Sequence, residues 1–193
     1  DFCLSRGLGD VYKRQGKQIS TQGANGAPAC VTCHGARGEG NPAAGFPQLA
    51  GIGAKYLAEQ LEAMANGSRV SPVMAATAKA LDPAQQEAVA SYYASLPSPL
   101  NTDRLAATAM HPVKPADTGA WLATRGAWDK NVPACNQCHG PGGIGVGDNF
   151  PGLAGQPAAY IAGQLRAWRQ GQRPPGPLAV SYTHLRAHET GRN

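Results

Sequence analysis

Two short stretches, residues 29–35 (ACVTCHG) and 134–140 (ACNQCHG), decide how this 193-residue chain is read. Each carries Cys-X-X-Cys-His, and the second lies 105 residues after the first. The likeness runs on past the cysteines. With one residue lost between, Phe46, Pro47, Leu49, Ala50 and Gly51 match Phe150, Pro151, Leu153, Ala154 and Gly155 at an offset of 104. Tyr56, Gln60, Leu61, Gly67 and Arg69 match Tyr160, Gln164, Leu165, Gly171 and Arg173 in the same register. Self-similarity at one long period marks two copies of one domain.

Both copies carry a helical pattern. Tyr56, Leu57, Gln60, Leu61 and Met64 fall at helical spacing with Gly67 to close the helix, and Tyr160, Ile161, Leu165 and Trp168 before Gly171 repeat it. Asp82, Pro83 and Gln85 form a helix start, with Val89, Tyr92, Tyr93 and Leu96 on one face. No segment alternates with period two for long, so the class is all-α: two tandem helical domains over residues 16–99 and 116–179, the second truncated. Pro97, Pro99, Pro112 and Pro115 punctuate the polar stretch between them, and residues 100–115 are expected to be an extended linker rather than a helix.

Composition says what the cores lack. With 42% hydrophobic residues the chain is no disordered tail, yet 25 Gly, 16 Pro and 6% aromatic residues leave little bulky apolar material for two protein-only cores. A bound group is expected to fill them. No stretch approaches the roughly 18 uninterrupted apolar residues of a membrane-spanning helix.

The ends have a different character. Residues 5–15 (SRGLGDVYKRQ) and 180–189 (VSYTHLRAHE) lack apolar periodicity, and one DNA string encodes the first on one strand and the second on its complement. They resemble a translated sequencing adapter, so residues 1–15, with the odd Cys3, and 180–193 are set aside from fold reasoning. Without Asp1, Arg6, Asp10, Lys13, Arg14, Arg186, Glu189 and Arg192 the net charge of +5 falls to +3. A balance of that size, with no Lys/Arg run and no interleaved aromatics, points to no nucleic-acid partner.

Cys-X-X-Cys-His is the attachment pattern of c-type haem: two thiols add across the porphyrin vinyls and the adjacent imidazole approaches the iron from one side. Cys30 and Cys33 are therefore candidate anchors with His34 as proximal ligand, and Cys135, Cys138 and His139 repeat the set. A zinc reading needs a second Cys/His pair that neither copy has, and a thioredoxin-like dithiol expects a βαβ context. Two covalently bound haem c groups are the expected cofactors.

A closed haem needs a sixth ligand. Met74, in a loop-like stretch after Pro72, is the candidate in the first copy; Met64 falls on an apolar helix face and Met110 in the linker. His/Met ligation raises the potential relative to His/His. No Met follows His139, and truncation before that position is the simpler account than an open iron. His184 and His188 lie in the adapter-like tail and are given no role. A backbone carbonyl at Pro47 or Pro151, 13 and 12 residues past the motif histidines, is placed to accept an imidazole N–H.

Across residues 16–179, ACVTCHG with FPQLAG and YLAEQL, then ACNQCHG with FPGLAG, YIAGQL and RAWRQGQR, resemble the cytochrome c4 family of tandem dihaem class I cytochromes c. The resemblance implies two cytochrome c domains related by pseudo-twofold symmetry. It also implies a periplasmic carrier, soluble or loosely membrane-associated, with an export signal expected upstream of Gly16, and supports Met74 as axial ligand. Its partners would be redox proteins: a donor such as a quinol-oxidising complex and an acceptor such as a terminal oxidase. A non-catalytic carrier is the leading reading. A dihaem enzyme of peroxidase or sulfur-compound dehydrogenase type, or a dihaem subunit of a larger oxidoreductase, is the alternative.

Overall fold

The computed structural model describes residues 2–108 and 112–175. Met110, His184, His188 and the tail 180–193 lie outside the described residues. Nine helices occur among the described residues: α1 (Phe2–Gln22), α2 (Val31–His34), α3 (Ala54–Ala65), α4 (Met74–Ala80), α5 (Pro83–Ser95), α6 (Thr102–Thr108), α7 (Thr118–Arg125), α8 (Asn136–His139) and α9 (Ala158–Arg169). Two 3₁₀ turns, Trp128–Lys130 and Pro141–Gly143, join them, and only isolated bridges represent β structure there.

The first domain is built on the crossing of α1 with α5, and α3 packs on α5. Gly16 makes the crossing possible: a Cβ there would lie 2.0 Å from the Ala88 carbonyl oxygen and 2.7 Å from the Tyr92 Cβ. Ile19, Ala27, Leu81, Val89 and Tyr93 form the buried cluster around it. Tyr93 shares a 2.7 Å hydrogen bond with the equally buried Ser20, which satisfies both hydroxyls. Helix α5 starts as expected, in a capping box. The Gln85 N–H donates to Asp82 Oδ1 at 2.8 Å, the Asp82 N–H donates to Gln85 Oε1 at 3.0 Å, and Pro83 takes the first turn.

The second domain repeats this with α7 for α1 and α9 for α3. Gly126 (φ +74°) turns the chain as Gly23 (φ +76°) does, each pressed against a carbonyl of the following loop, Val132 and Ala27. Gly119, the counterpart of Gly16, has nothing within 4 Å of a Cβ. No counterpart of α5 lies among the described residues, and Leu165, expected on an apolar face, is exposed, as is Leu122 of α7.

One expectation is corrected. Residues 102–108 of the stretch taken as an extended linker are helix α6. The prolines stand outside it, Asn101 Oδ1 caps it by accepting the Arg104 N–H at 2.8 Å, and it packs on the Pro141–Gly143 turn. A Cβ on Gly142 would approach the Leu105 carbonyl to 2.5 Å. At the other end, α1 runs unbroken through residues 5–15 although they lack an apolar stripe. Once Gly16, Ile19 and Ser20 dock the helix on the core, extending it costs little where no proline intervenes. Asp10, Val11, Lys13, Arg14 and Gln15 on that extension are exposed.

The domains meet through hydrogen bonds. The Gln48 N–H donates to Gln156 Oε1 and Gln156 Nε2 donates back to the Gln48 carbonyl, both at 3.0 Å. Main-chain bonds from Tyr56 N–H to the Asp148 carbonyl (3.0 Å) and Val70 N–H to the Gln172 carbonyl (2.7 Å) add to them.

Candidate haem-binding site

Each Cys-X-X-Cys-His motif folds as a single helical turn, α2 and α8, with Cys30 (φ −60°, ψ −35°) and Cys135 (φ −58°, ψ −39°) already helical at its N-cap. Residues three apart share a helix face, so both thiols of a motif face the same way with the histidine beside them. Gly35 (φ +84°) and Gly140 (φ +77°) end the turns in a conformation that favours glycine. The chain then curls back, Gly40 N–H donating to the His34 carbonyl and Gly145 N–H to that of His139, both at 2.7 Å. All four motif cysteines are free thiols, and burial pushes the Cys30 and Cys135 thiols up, away from the thiolate.

The loop return delivers a carbonyl to each imidazole. His34 Nδ1 lies 2.9 Å from the Pro47 carbonyl oxygen, and His139 Nδ1 lies 2.7 Å from that of Pro151. A carbonyl only accepts, so Nδ1 carries the proton and Nε2 keeps its lone pair. His34 Nε2 is buried with no hydrogen-bond partner. Such an orphaned acceptor is costly unless something electron-poor meets it, and a metal does. Burial pushes both imidazoles below their ordinary proton affinity while the proline carbonyls oppose this; at His139 the Arg173 charge lowers it further. Phe46 and Phe150 stand with ring centroids 6.0 and 6.2 Å from the two imidazoles. Two thiols, a tautomer-fixed histidine and an apolar wall fit a covalently held haem.

Met74 is partly buried as the first residue of α4, rather than in a loop, and its N–H donates to Ser71 Oγ at 3.3 Å. Met64 is buried within α3, as its place on an apolar face predicts. The sequence reading missed the role of Tyr93 and Ser20 behind Cys30, and of Arg69 and Arg173 at the domain contact. The arginines had a signal, their match at the repeat offset. Tyr93 had none beyond helix periodicity.

The cytochrome c family profile matches residues 14–97. The structure of reduced cytochrome c4 from Pseudomonas stutzeri is similar with a TM-score of 0.66 and 32% identity, over 82% of this chain and 84% of that one. The chain belongs to the cytochrome c4 family. As a dihaem cytochrome c4 it binds haem c covalently and transfers electrons. This cytochrome is also 48% identical to the thiosulfate dehydrogenase electron acceptor of Thiomonas intermedia (strain K12), over 81% of this chain and 70% of that protein. It resembles the structure of thiosulfate dehydrogenase (TsdBA) from Marichromatium purpuratum with a TM-score of 0.75 and 40% identity. There 94% of this cytochrome spans 37% of the longer chain. No helix among its described residues is long and apolar enough to cross a membrane.

The carbonyl behind His34 is testable in this cytochrome. Pro47→Ala keeps a carbonyl but frees its φ angle, so the hydrogen bond loosens and the imidazole loses basicity. Both haems are expected to remain attached while the potential of the first shifts. A potentiometric titration identical to that of the parent protein sinks this role for Pro47.

Proposed function

We propose that this cytochrome accepts electrons, one per haem, from a periplasmic dehydrogenase that oxidises thiosulfate or a related sulfur oxoanion. The observation that carries the reading is the 48% identity to an electron acceptor of thiosulfate dehydrogenase, above the 32% to the cytochrome c4 of known structure. That favours a dehydrogenase as partner over the quinol-oxidising donor and terminal-oxidase acceptor expected from family resemblance alone. Oxidation of such an anion releases electrons in pairs, and two one-electron sites on one chain take both.

Within this reading, Cys30 and Cys33 would hold the first haem, with His34 and Met74 as its iron ligands, and Cys135, Cys138 and His139 would hold the second. When bound, haem supplies a one-electron couple between ferrous and ferric iron. The chain does the rest. The Pro47 and Pro151 carbonyls keep the protons on Nδ1 and off the ligating nitrogens. The two thiols of each motif, carried on one helical turn, would tie a haem to a rigid element, which would limit reorganisation on electron transfer. At the first site, where His34 and Met74 would both ligate the iron, no position would be left for a substrate, which separates this reading from the dihaem-enzyme alternative.

The test mixes the oxidised holoprotein with a thiosulfate dehydrogenase and follows the haem absorption after thiosulfate is added. Reduction that needs both enzyme and thiosulfate is expected. Reduction no faster than without the enzyme, together with rapid reduction by a quinol-oxidising complex, overturns the reading.

A further inference from the structure

Helix α3 has two polar faces with different fates. Tyr56 and Gln60 belong to the contact between domains, where the repeated residues satisfy one another. Arg69 donates to Gln60 in its own domain and to Tyr160 and Gln164 across the contact. Arg173, standing 4.2 Å over the Trp168 ring, does the reverse with Gln164, Tyr56 and Gln60. Lys55, Glu59 and Glu62, at helical spacing on another face of α3, border a cleft of about 500 Å³ between α3 and α5.

Glu87 of α5 lines the same cleft, so three carboxylates stand there against one lysine. The lysine is committed: Lys55 Nζ is paired with Glu59 Oε1 at 2.6 Å and donates to Asn149 Oδ1 at 2.9 Å. Glu62 and Glu87 are exposed and have no cationic partner among the described residues. Gln86, only 7% exposed, also lines the cleft. Its Nε2 donates to the Ala78 and Leu81 carbonyls at 3.0 and 3.2 Å, while its Oε1 accepts no hydrogen bond among the described residues. A nearly buried acceptor without a donor, beside unpaired carboxylates, suits a donor that carries positive charge, an ammonium or guanidinium group. The second domain has no such place. At the repeat offset Glu59 becomes Gly163 and Glu62 becomes the exposed Arg166 of α9, and no counterpart of α5 lies among the described residues.

We propose that the α3–α5 cleft of the first domain is the surface on which the sulfur-oxoanion dehydrogenase docks, by seating a lysine- or arginine-bearing segment of that enzyme. The inference deepens the proposed function and rests on it for the identity of the partner. Charge complementarity selects that partner. An enzyme that gathers and holds thiosulfate, a dianion, does so with positive potential, and the same potential attracts an acidic surface and repels a basic one. Helix α3 presents the acidic surface, whereas α9 ends in the exposed Arg166 and Arg169. The cleft therefore turns the first domain toward the enzyme. It governs the rate and orientation of association and takes no part in the electron transfer itself.

The test uses the full-chain holoprotein, a thiosulfate dehydrogenase and two charge-reversed double variants. Glu62→Lys with Glu87→Lys alters the cleft, and Asp103→Lys with Asp129→Lys changes the net charge equally at exposed positions of the second domain. Binding to the immobilised enzyme at low ionic strength is measured first, then the second-order rate of haem reduction once thiosulfate is added. The cleft variant is expected to lose about tenfold in both, and the second-domain variant to stay within about twofold of the parent protein. The loss should shrink as salt rises past about 0.1 M, where charges are screened beyond about 10 Å. Reduction by hydroquinone, which needs no docking, should be equal in all three proteins. Binding of the parent protein without reduction by thiosulfate overturns the proposed function, while the binding comparison still decides the cleft. The cleft is overturned by an unchanged cleft variant, by a loss that salt does not screen or that extends to hydroquinone, by an equal loss in the second-domain variant, or by a parent protein that does not bind the enzyme at low salt.

Discussion

Replacing Cys135 and Cys138 together with serine is expected to leave one covalent haem per chain and to unfold the second domain. The two domains are not equally able to stand without the group. Among the described residues, the first buries Ile19, Ile52, Met64, Leu81, Val89 and Tyr93, while the second buries only Ala134 and Pro157 among apolar side chains. Small domains hold a net stability of only about 5–15 kcal/mol, and most of it comes from apolar burial. With so little apolar burial of its own, the second domain would lose most of its core with a group the size of a porphyrin. The check is haem staining after denaturing electrophoresis, with helical circular dichroism followed on heating. The double variant should lose one of two thermal transitions, whereas Cys30→Ser with Cys33→Ser should lower the other without abolishing it. An unchanged melting profile in the Cys135/Cys138 variant refutes the expectation.

Met74→Ala has the second large expected effect. Both haems should stay attached through their thioethers, the first-domain potential should fall by on the order of 100 mV within the ~0.8 V span that axial ligands command, and carbon monoxide should bind the reduced first-domain site. The parent protein should resist carbon monoxide there. Met64→Ala is the control: as a buried α3 side chain it should cost about 2–5 kcal/mol of stability without opening the iron. Carbon monoxide binding in Met64→Ala but not in Met74→Ala reverses the assignment.

Much of the site was legible because it is local. Cys30, Cys33 and His34 sit within one turn, so their spacing alone dictates that both thiols face one way. The Asp82–Gln85 cap and the α3 and α9 helices were legible for the same reason, since capping and periodicity are short-range effects. The Pro47 and Pro151 carbonyls were foreseen from distance along the chain, yet only the loop return through Gly40 and Gly145 brings them to 2.9 and 2.7 Å of the imidazoles. The reading failed where it weighted flanking prolines over the residues between them: Asn101 caps α6, and the Pro141–Gly143 turn supplies its packing.

By itself the sequence determined that this protein is a tandem of two helical haem c domains, because a covalent cofactor motif is written in contiguous residues and its duplication in a fixed register. Only the tertiary structure decided that the repeated Tyr, Gln and Arg residues belong to the contact between domains. Tyr56 and Arg173, 117 residues apart, meet only when the domains dock. A repeat reveals that two positions are alike, but pairing a buried guanidinium with its acceptors, and Trp168 with Arg173, depends on which surfaces lose water when the two copies pack.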